Sequence, residues 1–167
     1  MFCKRLGIAA VFCLLLAFPL SASMVSFVVV ESGLNPNAAG NEYSTVWESG
    51  LMGAFFDAGH IVSNSPVLRL EKPSASGFSG NEIPGEVQRD FLSAQQGGAD
   101  YFILVILDFT VQNGRTRPQV ISIRIFSTST RELIYDHIFP AGTGVNLQDE
   151  AVKARDTARI IAAQMPR

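Results

Sequence analysis

An unbroken apolar run near the middle of the chain predicts its central element. Residues 101–107, YFILVIL, are rich in β-branched and aromatic side chains, follow the pair Gly97-Gly98 and end before Asp108. A short apolar run between turn residues is typical of a strand that is buried on both faces. It is far shorter than the about 20 residues that a membrane-spanning helix needs. We therefore expect a central strand with helices on both of its faces.

Two apolar segments precede this run and predict strands of their own. The β-branched run 25–31, VSFVVVE, is the first strand and ends in a cluster of turn-forming residues. The second strand lies in residues 60–70, where Pro66 separates two short apolar pieces. Because proline cannot donate a hydrogen bond to a neighbouring strand, we expect the second strand to kink or end there.

Two more strands are predicted after the central one. Asn113-Gly114 is a strong hairpin signal, because both residue types tolerate a positive φ. In residues 120–128 isoleucines alternate with polar residues, which indicates a strand with one buried and one wetter face. Residues 133–139 form the last strand, which we expect to run antiparallel to its predecessor.

Three segments place apolar residues at intervals of three and four positions, which predicts amphipathic helices that pack on the sheet. They are residues 43–58, 84–96 and 146–165. The element order is then β-α-β-α-β-β-β-α. We predict a single α/β domain with a mixed sheet of about five strands and three helices packed on it.

The first 23 residues predict a cleavable Sec signal peptide. Two basic residues are followed by an apolar segment, residues 6–20, and then by a Ser-Ala-Ser tripeptide. This order favours cleavage after Ala22 or Ser23, which leaves residues 24–167 as the domain and predicts a periplasmic protein. The alternative is an uncleaved signal that anchors the protein in the membrane.

Composition narrows the possible functions. Cys3 and Cys13 are the chain's two cysteines and leave with the predicted signal, so the mature chain has no disulfide, thiolate nucleophile or cysteine-ligated metal. Neither cysteine stands at the end of the apolar segment, where a lipid would be attached. The net charge of −2 becomes about −4 once the signal's two basic residues are removed. A mildly acidic chain without a basic run is a poor candidate for nucleic-acid binding.

The order of elements and two sequence words resemble a group of bacterial envelope proteins. The word GADY, residues 98–101, leads into the central strand, and STRELIY, residues 129–135, opens the last strand before an alanine-rich helix. Over residues 25–163 the chain resembles the fold shared by CsgG, LpoB and the N-terminal domain of TolB. The resemblance implies a non-enzymatic envelope domain that binds other proteins. The chain lacks the lipid-attachment cysteine of CsgG and LpoB and the membrane-spanning hairpins of CsgG, so pore formation is not expected.

Residues that could carry chemistry form no recognised pattern. His60 and His137 are the only histidines, and no carboxylate stands at a metal-ligand spacing from either. The word GFSG, residues 77–80, lacks the G-x-S-x-G context of a nucleophile elbow. The Gly-Thr-Gly of residues 142–144 lacks the third glycine of a dinucleotide loop, and Asp108 alone does not make a catalytic pair. We predict no catalytic residue, no cofactor and no metal site.

The leading hypothesis is an exported module that binds another envelope protein and acts in cell-envelope assembly or maintenance. It would contact the membrane only through that partner. Arg115 and Arg117 on the hairpin turn, with Arg124 on the wetter strand face, are the candidate binding residues, because arginine is enriched at interface anchors. The alternative for these arginines is a solvated hairpin.

Two other functional classes remain open from the sequence. A periplasmic protein that binds a small molecule or glycan would use the loops 72–81 and 140–146 as the rim of a pocket. An exported hydrolase would need Asp108 and His60 or His137 to meet a serine in space. The sequence leaves the identity of the partner and the oligomeric state undetermined.

Overall fold

The computed structural model describes the chain in five stretches, residues 22–34, 42–71, 80–112, 115–140 and 146–165. Nearly all of the predicted signal peptide falls outside these stretches. So do the Asn-Gly turn, residues 113–114, and most of the loops 72–81 and 140–146.

Six strands and three helices follow one another within the described stretches. The strands are β1 (Met24–Ser32), β2 (Ile61–Asn64), β3 (Leu68–Leu70), β4 (Tyr101–Gln112), β5 (Arg115–Ser127) and β6 (Leu133–Pro140). The helices are α1 (Glu42–Asp57), α2 (Gln88–Gln96), which a 3-10 turn at Gly85–Val87 precedes, and α3 (Leu147–Gln164). The predicted α/β fold class is confirmed, and the predicted order matches except that two short strands, β2 and β3, stand in place of the predicted second strand.

The strands form one mixed sheet in the order β2-β1-β4-β5-β6, in which β3 also pairs with β1. β1 is parallel to β2, β3 and β4, while β5 and β6 are added as antiparallel strands. β2 and β3 lie one after the other along the same edge of β1, on either side of Pro66. The predicted second strand is therefore interrupted at the proline. β6 is the last strand at the opposite edge.

Helices cover the two faces of the sheet, and the central strand β4 is buried on both. Helices α1 and α3 cover the face that carries Ile103 and Val105, which we call the α1–α3 face. Helix α2 covers the other face, which carries Leu104 and Ile106 and which we call the α2 face, through Phe91. Among the described helices, the nine-residue α2 is the one that packs on this face.

Helices α1 and α3 pack against each other at very short range. The Cβ of an alanine placed at Gly50 would lie 2.9 Å from the Cβ of Ala154, so only glycine fits there without a shift. Near this contact the indole Nε1 of buried Trp47 donates a hydrogen bond to Oε1 of buried Glu150, at 3.0 Å. The layer over the α1–α3 face is thus held by close packing and by a buried hydrogen bond.

Candidate functional site

The first word of the predicted resemblance, GADY, contacts the turn that precedes β6 at the point where β4 begins. The hydroxyl group of buried Thr128 donates to the carbonyl oxygen of Ala99 and lies 3.1 Å from that of Asp100. Nε2 of Gln95, near the end of α2, donates to the carbonyl oxygen of Thr128 at 2.6 Å. The main chain that leads into the central strand is therefore fixed to the turn that precedes β6.

That turn determines where β6 starts. Arg131 has a φ of 63°, which lies in the left-handed region, and the N–H of Ser127 donates to the carbonyl oxygen of Glu132 at 3.0 Å. The guanidinium group of Arg131 lies 5.8 Å from the ring centre of Phe91 on α2. A cation over a ring face is attracted by the ring's quadrupole. The turn is thereby anchored to α2, and β6 runs from it along the outside of β5.

The outer edge of β6, which we call the β6 edge, is the candidate binding surface. Within the described chain β6 pairs with β5 on one side and with no strand on the other. Ile138 points to the α2 face, Ile134 lies where the register of β6 with β5 shifts, and the two side chains are 63% and 43% exposed. Large exposed apolar side chains beside an open strand edge are typical of a surface that binds another strand.

The opposite side of β6 carries a row of aromatic rings. Tyr135, His137 and Phe139 are register partners of isoleucines on the α1–α3 face. The ring centres of Tyr135 and His137 are 6.1 Å apart, and those of His137 and Phe139 are 4.5 Å apart. Tyr135 and Phe139 are half-buried against the core, and burial raises the pKa of the Tyr135 hydroxyl group. Both faces of β6 thus present mainly apolar and aromatic side chains.

Asp136 is the only residue of β6 with a carboxylate, and Arg124 lies close to it. Nε of Arg124 on β5 is 3.7 Å from Oδ2 of Asp136, and the guanidinium group lies 5.3 Å from the ring centre of Phe126. Arg124 also donates to the carbonyl oxygen of Gly80. It is only 1% exposed, so the prediction that Arg124 is part of a surface patch is wrong. The strand alternation is as predicted, but the chain at Gly80 covers this side chain.

The other two predicted arginines lie on an arm formed by the β4–β5 hairpin. The pairing of β4 with β1 ends at Asp108, and beyond it residues 109–112 pair only with residues 115–118. Arg117 is half-buried and seven residues along β5 from Arg124, a distance of about 23 Å in a strand. The side chain of Arg115 lies outside the description. The three arginines do not form one patch, and the binding role of Arg115 and Arg117 stays a prediction.

A buried ion pair joins β1 to β3 at the carboxyl ends of the parallel strands. Oε2 of Glu31 is 2.8 Å from Nε of Arg69, and the carboxylate side chain is 1% exposed. Asp108 is half-buried at the same end of the sheet, in register with Ser32. Sheets of this kind often hold ligands at this end. Here Arg69 binds the carboxylate of Glu31, so the main role of the pair is to join β1 to β3. The sequence analysis missed this pair, although each residue is a lone charge in an apolar segment.

The groups that a hydrolase would need do not converge around Asp108. His60 is buried against Phe55 and precedes Ile61, the register partner of Met24, at the opposite end of the parallel strands. Eight residues of strand place it about 25 Å from Asp108. His137 lies on β6 on the α1–α3 face of the sheet, whereas Asp108 alternates with residues of that face and so lies on the α2 face.

The residues that the structure describes contain no group of three or more His, Cys, Asp or Glu side chains that could hold a metal ion. None of their helices is long and apolar enough to cross a membrane. The Gly-Thr-Gly segment 142–144 and all of GFSG except Gly80 lie outside the description, as does most of the proposed pocket rim.

Comparison with known proteins finds similarity in solved structures. No protein-family model and no curated protein matches the sequence. The PelC dodecamer from Paraburkholderia phytofirmans matches with a TM-score of 0.48 and 11% identity over 87% of this chain and 90% of that chain. For TolB from Acinetobacter baumannii the TM-score is 0.39, with 10% identity over 86% of this chain and 27% of that chain. For the lipoprotein GNA1162 from Neisseria meningitidis it is 0.41, with 12% identity over 85% and 99%.

TolB is also one of the proteins that the sequence words resemble. The resemblance to CsgG and LpoB stays a prediction. No function and no site residue is carried over to this chain from these structures.

Proposed function

We propose that this protein is an exported, non-enzymatic interaction module that acts in the cell envelope by pairing with a protein strand at the β6 edge. The observation that carries the proposal is the eight-residue strand β6, which pairs with no strand of the described residues on its outer side and has Ile134 and Ile138 exposed beside it. Strand addition gains affinity from main-chain hydrogen bonds and specificity from alternate side chains. β6 offers isoleucines on one face and aromatic rings on the other.

The contrast between the two edges of the sheet supports this reading. Natural proteins protect open edges with short strands, prolines and charged side chains. At one edge, β2 and β3 are four and three residues long and are separated by Pro66. At the other edge β6 is eight residues long, and the carboxylate of Asp136 lies near the buried Arg124. The β6 edge is therefore less protected than the opposite edge, since its bulge beside Ile134 and its proline, Pro140, lie toward its two ends.

The place of action is the second part of the proposal. The predicted signal peptide would deliver the mature chain to the periplasm, where a chain without cysteines forms no disulfide. In the envelope the module would serve assembly or maintenance, and it would meet the membrane only through its partner. The separation of Asp108 from both histidines favours binding over hydrolysis.

A paired set of variants tests the proposal in cells. The variant Ile134→Asp/Ile138→Asp places charge on the β6 edge, and the control Val152→Asp/Ile160→Asp places it at similarly exposed apolar positions on α3. After cross-linking in cells, the tagged protein and its covalent partners are captured from the periplasmic fraction and quantified. We expect wild type and the α3 control to capture the same envelope chain, and the β6 variant to lose it. Equal capture by all three proteins would overturn the proposal.

The same capture experiment tests the hairpin. If Arg115 and Arg117 also bind the partner, Arg115→Glu/Arg117→Glu will reduce capture while the α3 control does not. The mass of the N-terminal peptide of the captured protein checks the location, since a periplasmic protein should begin at Ser23 or Met24.

A further inference from the structure

We infer that the occupant of the β6 edge is a second copy of this chain, paired antiparallel in a two-fold dimer with the two His137 residues opposite each other. This inference rests on the proposed function and names the partner of the same edge.

The order of side chains on one face of β6 is nearly symmetric, which suits pairing with itself. On the α1–α3 face the order is Tyr135, His137, Phe139, an imidazole between two aromatic rings. The α2 face has no such symmetry about His137, since Asp136 precedes it and Ile138 follows it. A strand face whose side chains read alike in both directions presents matching groups to an antiparallel copy of itself. In such a pair the two-fold axis is perpendicular to the sheet, so each face meets the same face.

The register of the pair follows from which charges meet and from how many residues of β6 pair with the second copy. A pair centred on Asp136 sets two carboxylates directly opposite each other, which is destabilising. A pair centred on His137 sets Tyr135 of each copy opposite Phe139 of the other, and aromatic cross-strand pairs are favourable. It also sets Asp136 opposite Ile138, and the two Ile138 side chains become diagonal neighbours across the axis. This register uses residues 134–140, nearly the whole of β6.

The opposite edge of the sheet limits the assembly to two copies. Pro66 and the short strands on either side of it offer no continuous edge for a third chain. A two-fold interface uses the same patch on both subunits and closes on itself. One pair of strands is a small interface, at or below about 1,200 Å² of total buried surface, so we expect a weak and concentration-dependent dimer.

The absence of cysteine from the mature chain makes the register measurable. Asp136→Cys, His137→Cys and Ile138→Cys each introduce one thiol at an exposed position, and Gln164→Cys at the end of α3 is the control for random collision. Directly opposite residues of an antiparallel pair have Cα atoms about 4.5–5.5 Å apart, within the span of a disulfide. In the proposed register only residue 137 meets itself in this way. Residues 136 and 138 of one copy lie diagonally from the same residues of the other, about 7–8 Å away.

The experiment uses the purified mature protein under mild oxidation, with non-reducing electrophoresis as the readout. We expect His137→Cys to form the disulfide-linked dimer about tenfold faster than the other three variants, because only its thiols meet the geometry of the bond. Sedimentation equilibrium of the cysteine-free protein should show a monomer–dimer equilibrium that Ile134→Asp/Ile138→Asp shifts to monomer. Fastest coupling at residue 136 or 138 would overturn the register, and a monomer at all concentrations without fast coupling at any position would overturn the dimer.

The outcomes separate this inference from the proposed function. If the purified protein is monomeric, but cells still yield an envelope partner that Ile134→Asp/Ile138→Asp loses, the occupant is a different chain and the proposed function stands. If Ile134→Asp/Ile138→Asp changes neither the dimerisation of the purified protein nor the capture of a partner in cells, both the inference and the proposed function are wrong.

Discussion

Met24 and Asp100 are joined by two hydrogen bonds at the corner where β1 and β4 begin. The N–H of Met24 donates to Oδ2 of Asp100 at 2.8 Å, and the N–H of Asp100 donates to the carbonyl oxygen of Met24, also at 2.8 Å. The acidic residue of the GADY word thus aligns the first strand of the predicted mature chain with the central strand. Its role in this fold is to set the register of the sheet.

Loss of this carboxylate should therefore weaken the fold. We expect Asp100→Ala to lower the free energy of unfolding by about 1 kcal/mol, because a hydrogen bond to a carboxylate is lost at an exposed site. Urea denaturation of the mature protein measures the change. Asp57→Ala, which removes an exposed carboxylate at the end of α1, should change the free energy by less than about 0.5 kcal/mol. Equal losses in the two variants would contradict this role.

Thr128 gives a second test of the same corner. Thr128→Val keeps the shape of the side chain but removes the hydroxyl group that donates to the carbonyl oxygen of Ala99. We expect a loss of about 1–2 kcal/mol in the free energy of unfolding, because a buried carbonyl oxygen loses its partner. Thr110→Val, at an exposed position of β4, is the control and should be nearly neutral. A neutral Thr128→Val would show that the corner does not need the hydroxyl group.

Two glycines of α1 should respond to alanine in opposite directions. At Gly50 the new Cβ would lie 2.9 Å from the Cβ of Ala154 and 3.2 Å from the main chain of α3, so we expect Gly50→Ala to cost about 1–3 kcal/mol. At Gly53 no atom lies within 4 Å of the new Cβ, so Gly53→Ala should stabilise the helix by about 0.5–1 kcal/mol. Thermal denaturation of both variants measures the difference, and equal shifts would argue against the close packing of α1 on α3.

The ion pair between Glu31 and Arg69 should behave as a buried pair. Arg69→Met leaves a carboxylate that is 1% exposed without its arginine, and we expect a loss of about 3 kcal/mol in the free energy of unfolding. Glu31→Leu/Arg69→Met removes both charges and should recover most of this loss, because no charge is then left in the interior. A double variant that is less stable than Arg69→Met would show that Glu31 stabilises the fold through other contacts.

The strands and helices were predictable from sequence because each depends on local patterns. The run that became β4 is apolar at every position from 101 to 107, and burial on both faces leaves no polar position in it. Pro66 predicted the break between β2 and β3, because proline has no N–H to donate to a neighbouring strand, whatever the position of its own strand in the sheet. The bounds predicted for the helices are close to those of α1, α2 and α3, because the spacing of apolar residues that predicts a helix is also a local pattern.

The candidate site depends on contacts that are distant in sequence, so it was less predictable. Arg124 alternates with isoleucines and was expected to be exposed, but the main chain at Gly80, 44 residues away, covers it. β6 was predicted as a strand, yet its open edge follows from the order of strands in the sheet, which no local pattern encodes. Glu31 and Arg69 were missed for the same reason, because a lone charge in an apolar run does not identify its partner.

Photo-cross-linking from residue 138 in living cells is the most direct test of the central claim, that the β6 edge binds a protein chain. A photoreactive amino acid replaces Ile138 on β6 in one strain and the exposed Gln164 at the end of α3 in a control strain. The account predicts a defined higher-mass product from position 138, composed of this chain with a second protein chain, and none from position 164. Products of equal yield from both positions, or none from position 138, would contradict it.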